Sequence, residues 1–207
     1  MSITSYMTLG IVAITVLVSW AAWSQQALME RLILWPPAVD RNREYDRLLT
    51  HGFLHGDLGH LIFNMIALFS FGTRMERYLA GSIGHVGYLA FYLAGIVVAA
   101  LPTYYQHRRD LSYRCLGASG AVSAVLFGAI LLDPWTGIYL YFIPIPVPGF
   151  VFAALYVAYS IWMDKRGGDN VNHSAHLWGA AYGVMVMLVI EPSLAMSFVR
   201  SLLGHRF

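Results

Sequence analysis

Small and apolar residues fill the stretch from residue 117 to residue 132, which reads GASGAVSAVLFGAILL. It has no charged residue, and an Asp-Pro pair follows it. An apolar segment approaching 20 residues can cross a lipid bilayer as a helix when flanking residues extend it. Small residues at every fourth position give such a helix a smooth face that a second helix can approach closely: Gly120, Ala124 and Gly128. We therefore predict a tightly packed membrane-spanning helix whose first turn carries Ser119.

The composition of the whole chain also indicates a membrane protein. Of its 207 residues, 58% are hydrophobic and 12% are charged, against roughly 45–50% and ~25% in soluble domains. The net charge of +2 is spread over short clusters, which leaves no broad basic face for nucleic acid, and we expect no nucleic-acid partner. Cys115 is the only cysteine, so an intramolecular disulfide and a multi-cysteine metal site are both excluded.

Six segments have the apolar character of membrane spans, and we predict that residues 1–207 form one all-α, polytopic membrane domain. The predicted six-transmembrane-helix bundle consists approximately of residues 6–23, 58–72, 85–102, 117–132, 149–163 and 174–190. Charged clusters and prolines separate these segments, and the second helix is expected to stop at Arg74, Glu76 and Arg77. The stretch 24–57 is too polar to span, and we expect it to form an ordered loop on the membrane.

Strongly polar side chains lie near the start of the second, fourth and sixth helices. His60 and Asn64 are four residues apart on one face of the second helix, Ser119 opens the fourth, and His176 lies near the start of the sixth. Even-numbered helices of a serpentine protein run in the same direction, so their first turns lie at the same membrane face. Because polar groups inside a membrane are costly, they are usually retained for a function or for a specific packing contact.

Ser119 and His176 can form a nucleophile and general-base pair for acyl transfer. Gly179 and Gly183 lie on the same face of the sixth helix as His176, and this small-residue face allows a close approach to the fourth helix. If the two faces meet, Ser119 Oγ comes within hydrogen-bond reach of the imidazole. The sequence places no acidic residue to complete a triad.

An oxyanion would be stabilised near Ser119, because the first turn of a helix presents backbone N–H groups without intrahelical partners. The Ser119 N–H is one such donor. His60 and Asn64 are side-chain donors that can join it.

These residues carry a resemblance to the rhomboid family of intramembrane serine proteases. The family's Gly-x-Ser-Gly motif is similar to residues 117–120, its His-x-x-Gly-x-x-x-Gly motif to residues 176–183, and its His-x-x-x-Asn motif to residues 60–64. The conserved glycines of these motifs are then Gly117, Gly120, Gly179 and Gly183. Matches outside the three motifs extend the resemblance over most of the chain: Arg47, His51, His55, Gly72 and Glu76.

The resemblance implies a six-helix membrane enzyme that cleaves transmembrane segments of other proteins. By that resemblance Ser119 is the nucleophile, His176 is the base, and His60, Asn64 and the Ser119 N–H form the oxyanion site. It implies no cofactor and no metal, a lipid bilayer as surroundings, a multi-pass location in a bacterial inner membrane, and an active site towards the outer face. The oligomeric state is left open.

Three positions depart from the family pattern, and one of them, Ala80, stands where a glycine is common after Glu76, with Gly81 next to it. Asp46 precedes Arg47 where the family has tryptophan, and Ser123 stands four residues after the serine, where the family often has an aromatic residue packed on the catalytic histidine. Lys and Arg are also more frequent in the loops after helices 1, 3 and 5. By charge alone that side would be cytoplasmic, which is opposite to the family orientation.

Other interpretations stay open. The same fold could be a non-catalytic membrane protein that binds client transmembrane helices. A third interpretation is a histidine-lined metal or haem protein that uses His51, His55, His60 and His176, although we favour a structural role for the first two, which hold the first loop by hydrogen bonds.

Overall fold

The computed structural model describes residues 5–139, 145–169 and 171–204. These residues are mostly helical, and the helices in chain order are α1 Tyr6–Ser24, α2 Gln26–Leu32, α3 Pro36–Asn42, α4 Arg47–Thr50, α5 Leu58–Ala67, α6 Thr73–His107, α7 Ser119–Leu132, α8 Gly149–Arg166, α9 His173–Ile190 and α10 Ser193–Gly204. A 3-10 turn, His51–Phe53, follows α4, and a π-helical segment, Leu68–Gly72, joins α5 to α6. Two short antiparallel strands, β1 Gly137–Ile138 and β2 Val147–Pro148, precede α8.

Among the described residues, three helical stretches are long and apolar enough to cross a membrane. They are α1, the continuous stretch from Leu58 to His107, and α9. The second of these is interrupted at Gly84, whose φ of 74° and ψ of 168° are not helical, so it divides into two helices. Each of the six predicted segments is largely helical, with α7 as a shorter apolar helix. A helical membrane protein is confirmed, and the count of six spans stays a prediction.

The expected end of the second helix before Arg74 is wrong. The helix continues through the π-helical segment to Gly84, because Glu76 is buried with partners rather than placed in water. Its carboxylate accepts hydrogen bonds from the backbone N–H groups of Met7 and Thr8 at the start of α1, at 3.0 and 2.8 Å, and lies 2.8 Å from Nδ1 of His85. A satisfied carboxylate does not require the helix to end.

The first loop is ordered, and much of it is helical in α2, α3 and α4. The buried guanidinium of Arg47 donates to the carbonyl oxygens of Glu30 and Ile33, at 2.7 and 2.8 Å, and pairs with Glu44. The neighbouring Asp46, which stands where the family has tryptophan, forms an ion pair with Arg31 at 2.7 Å. The hydrogen bond that Arg31 donates lowers the pKa of the Asp46 carboxyl.

Helix α7 lies at the centre of the protein, buried from Gly120 to Leu131. Its neighbours are α6 and α9, and the core between them includes a stacked pair of rings, Phe91 and Tyr182, with centroids 5.4 Å apart. A helix without charged residues can be buried on every face. Sequence reasoning did not anticipate α10, which is attached where Trp135 Nε1 donates to the carbonyl of Ser201 at 3.1 Å.

Candidate active site

Glycines bring α7 and α9 into backbone contact. A Cβ atom built on Gly179 would overlap the carbonyl oxygen of Gly120, and one built on Gly183 would overlap that of Ala124. The small-residue faces expected on the two helices therefore meet. No larger residue fits at either glycine unless the helices separate.

This contact places Ser119 beside His176. The distance between Ser119 Oγ and His176 Nε2 is 2.8 Å, which is a hydrogen bond. Ser119 is the first residue of α7, and His176 lies in the first turn of α9. Within the described residues, this is the only hydrogen bond of the His176 ring, and no carboxylate bonds to it.

Gly117 shapes the turn that leads to Ser119. Its φ of 124° belongs to a region that L side chains rarely adopt. A Cβ atom at Gly117 would also lie 2.8 Å from Cε1 of His60. Both the backbone conformation and the available space therefore require glycine, and His60 is held directly against this turn.

His60 and Asn64 lie on α5 and face the same cavity as Ser119 and His176. The cavity has a volume of about 1050 Å³ and is lined by these four residues together with residues of α7, α8 and the loops before α7 and α9. The Asn64 amide donates one hydrogen to the carbonyl of His60 at 3.0 Å, which leaves its second hydrogen for another acceptor. Within the described residues, neither side chain is hydrogen-bonded to Ser119.

A second histidine, which sequence reasoning did not assign to the site, adjoins the pair. The His173 ring meets that of His176 edge-on, with centroids 5.8 Å apart and an interplanar angle of 79°. His173 Nε2 lies 3.0 Å from Asp169 Oδ2, and this hydrogen bond lowers the pKa of the Asp169 carboxyl. The sequence signal was present, since His173 precedes His176 by three residues and so lies on the same side of α9.

An aromatic residue of α8, also missed, packs against the His176 ring. The rings of Tyr156 and His176 stack with centroids 5.9 Å apart and an interplanar angle of 28°. The Tyr156 hydroxyl is 2.7 Å from Ser123 Oγ. No pattern in the sequence pairs residues 33 positions apart, so sequence reasoning did not indicate this contact.

The remaining histidines of the first loop bind backbone and hydroxyl groups. His51 Nδ1 lies 2.9 Å from the carbonyl oxygen of Arg47, and burial lowers the pKa of His51 to about 4. His55 Nδ1 lies 3.1 Å from Ser19 Oγ, and the His55 carbonyl accepts a hydrogen bond from Trp23 Nε1 at 2.8 Å. Across the described part of the chain, no three His, Cys, Asp or Glu side chains are grouped so that they could hold a metal ion.

The fold and this site define a helical membrane protein with a serine–histidine pair at the start of two packed helices. Comparison with protein-family models defines the class more closely, because a model of the rhomboid domain matches residues 42–193. The chain belongs to the rhomboid family, and the resemblance drawn from its motifs is confirmed.

Three relatives illustrate the match. The chain is 33% identical to "RHOMBOID-like protein 12, mitochondrial" of Arabidopsis thaliana, over 80% of this chain and 52% of that protein. It is 30% identical to "Rhomboid protein 1, mitochondrial" of Saccharomyces cerevisiae, over 67% of this chain and 40% of that protein. It is 28% identical to "Putative rhomboid protease YdcA" of Bacillus subtilis, over 82% of this chain and 81% of that protein. The chain thus spans about half the length, or less, of the first two relatives.

Proposed function

We propose that this protein is an intramembrane serine endopeptidase that cleaves transmembrane segments of other membrane proteins. The observation that carries the proposal is the 2.8 Å contact between Ser119 Oγ and His176 Nε2. A serine hydroxyl is a weak nucleophile at neutral pH, and an adjacent imidazole base activates it. Membership of the rhomboid family supports the same chemistry.

The reaction follows from the positions of these groups. His176 Nε2 takes the proton as Ser119 Oγ attacks the carbonyl carbon of the substrate's peptide bond, and the carbonyl oxygen becomes an oxyanion. The Ser119 N–H, His60 and Asn64 stabilise this charge, and loss of one such donor typically raises the barrier by about 2.7–4 kcal/mol. His176 then gives the proton to the leaving amine. In the second half of the reaction, His176 takes a proton from the water that attacks the acyl-enzyme and returns it to Ser119 Oγ.

The substrate class and membrane orientation rest on family membership. The cavity is bordered by α5 and α8, and we propose that a substrate helix unwinds there, with the active site towards the outer face of a bacterial inner membrane. Membership of the rhomboid family supports a membrane location. Two relatives are named mitochondrial, so the bacterial inner membrane rests on this proposal alone. Reporter fusions after residues 107 and 166 test the orientation. The family orientation places both loops on the outer side of the membrane, whereas the charge pattern places both in the cytoplasm.

A fluorophosphonate probe tests the dyad without a known substrate. We expect the purified wild type, in mild detergent or lipid, to form an adduct on Ser119 that mass spectrometry locates. Ser119→Ala and His176→Ala should both lose at least ~100-fold in labelling rate, because the activated nucleophile or its base is missing. Ser160→Ala, a buried serine of α8, and His107→Ala, outside the site, are matched controls that should label normally.

Two outcomes decide between the leading proposal and the alternative. Labelling of Ser119 that depends on His176 supports the protease. Folded wild-type protein that resists every phosphonate, in detergent and in lipid, would favour a non-catalytic protein that binds client transmembrane helices.

A further inference from the structure

We infer that Tyr156 and Ser123 form a positioning pair that holds the His176 ring in line with Ser119. The inference rests on the proposed function, because it concerns the orientation of the proposed base. It is carried by three contacts: Ser119 with His176, His176 with Tyr156, and Tyr156 with Ser123. Ser123 and Ser119 both lie on α7, four residues apart, so the three contacts connect two positions of the same helix.

The His176 ring needs such support because its hydrogen bonding does not fix its plane. In a serine–histidine–aspartate triad the acid holds the imidazole through its second nitrogen. Within the described residues, no carboxylate bonds to His176, so ring packing must orient it. Among the described residues, the rings that contact it are Tyr156, which stacks on it, and His173, which meets it edge-on.

Tyr156 is itself held from several directions. Its hydroxyl is hydrogen-bonded to Ser123 Oγ at 2.7 Å, and Ser123 is almost fully buried on the most enclosed helix of the protein. Its ring contacts that of Phe127 at 5.5 Å and that of Phe152 at 5.7 Å between centroids. A hydroxyl anchor and aromatic neighbours together restrict both side-chain torsions of Tyr156.

The pair also links α8 to the proposed base. Helix α8 is weakly embedded, since only Gly149 and Ser160 among its residues are buried, and its Leu155, Tyr159 and Trp162 are exposed. Among the described residues, Tyr156 is the residue of α8 whose ring contacts His176. An outward shift of α8 therefore breaks the hydrogen bond to Ser123 and removes the support of the imidazole at the same time.

Rates of Ser119 labelling by a fluorophosphonate test the pair. We expect Tyr156→Leu to lower the maximal labelling rate roughly 30-fold while the probe's half-saturating concentration changes less than about 3-fold, because orientation and not probe binding is lost. Tyr156→Phe, which keeps the ring, should be labelled roughly 6-fold faster than Tyr156→Leu and fall only about 5-fold below the wild type. Ser123→Ala, which removes the partner of the Tyr156 hydroxyl, should lower the labelling rate by about the same factor as Tyr156→Phe.

A double-mutant cycle isolates the hydrogen bond. Ser123→Ala combined with Tyr156→Phe should be no slower than either single variant, because both remove the same contact. Tyr105→Leu, an exposed tyrosine far along α6, and Ser160→Ala on α8 are the matched controls and should label as the wild type does. A Tyr156→Leu variant that labels at the wild-type rate, or fully additive single effects, would overturn the inference.

A readout that needs no activity separates this inference from the proposed function. In protein with labelled histidine, the NMR signal of the His176 ring should shift and broaden in Tyr156→Leu and stay in place in Tyr105→Leu. If the probe labels neither the wild type nor any variant, but the His176 signal changes in Tyr156→Leu, the protease proposal fails and the positioning contact stands. An unresponsive His176 signal in Tyr156→Leu contradicts the positioning contact itself.

Discussion

The carbonyl oxygen of His51 accepts a hydrogen bond from the backbone N–H of Gly117, with 3.0 Å between the two atoms. Leu34 and Cys115 add a two-bond backbone bridge between the same segments, each bond at 3.1 Å. The first loop is therefore tied directly to the turn that positions Ser119. A loop that was expected only to lie on the membrane thus has a part in building the site.

Gly117→Ala should reduce fluorophosphonate labelling of Ser119 at least ~10-fold. A non-glycine residue held in a sparsely populated φ/ψ region costs of order 1–3 kcal/mol, and the new Cβ would lie 2.8 Å from Cε1 of His60. The turn must shift, and Ser119 shifts with it. Gly81→Ala, at a position on α6 where a Cβ meets nothing within 4 Å, is the control; equal labelling by both variants would contradict the prediction.

Gly179→Ala should lower the free energy of unfolding in detergent by about 3 kcal/mol, the upper range for overpacked sites. The added methyl overlaps the carbonyl of Gly120, so the backbones of α7 and α9 must separate. Chemical unfolding followed by circular dichroism measures the change. Gly10→Ala in α1, where the Cβ meets open space, should be neutral or slightly stabilising because alanine favours helices, and an equally stable Gly179→Ala would argue against the close helix contact.

Glu76→Gln should destabilise the protein by about 1.5–3 kcal/mol, the range for hydrogen bonds to a charged group. The Glu76 carboxylate accepts bonds from two backbone N–H groups and the hydroxyl of Thr8, whereas the glutamine amide has only one acceptor oxygen. Thermal unfolding in detergent, with protease cleavage near the start of α1 as a local probe, measures the loss. Glu30→Gln, on an exposed helix face, should change neither the melting temperature nor the cleavage near α1. A similar loss of stability in both variants would contradict the prediction that the buried Glu76 carboxylate stabilises the start of α1.

Stability should fall as the pH drops from about 6.5 towards 4. Burial lowers the pKa of His51 to about 4, while an unfolded histidine titrates near 6.5, so the unfolded chain binds the proton first. The stabilisation is complete above about pH 7 and is lost below it, with a slope of up to about 1.4 kcal/mol per pH unit for each such histidine. Burial lowers the pKa of His55 to about 3, which adds a slope of the same sign.

Melting temperatures at pH 7.5 and pH 5.0 measure this dependence. His51→Asn, whose amide can still donate to the Arg47 carbonyl, should show a smaller drop between the two pH values than the wild type. His107→Asn is the control, since His107 lies at the end of α6 outside the loop, and it should keep the wild-type drop. A wild type that is equally stable at both pH values would contradict the burial of these imidazoles.

The part of the site that could be predicted from the sequence depends on local pattern. Small residues four apart on α7 and α9 predicted that the two helices approach, and the shared direction of even-numbered helices placed Ser119 and His176 at one depth. The expected Ser119–His176 contact follows from these two regularities. His60 and Asn64 were expected in the same place for the same reason, and they do face the same cavity.

Composition and helical periodicity determined that this is a helical membrane protein, and the spacing of its motifs determined the family, because both are properties of short stretches of chain. Only the tertiary structure decided that Glu76 continues a helix by binding the start of α1, that Asp169 and His173 adjoin the site, and that Tyr156 takes the place beside His176 that Ser123 is too small to fill. These contacts join residues on different elements or depend on burial. Their energies come from the packed fold, which no local pattern encodes.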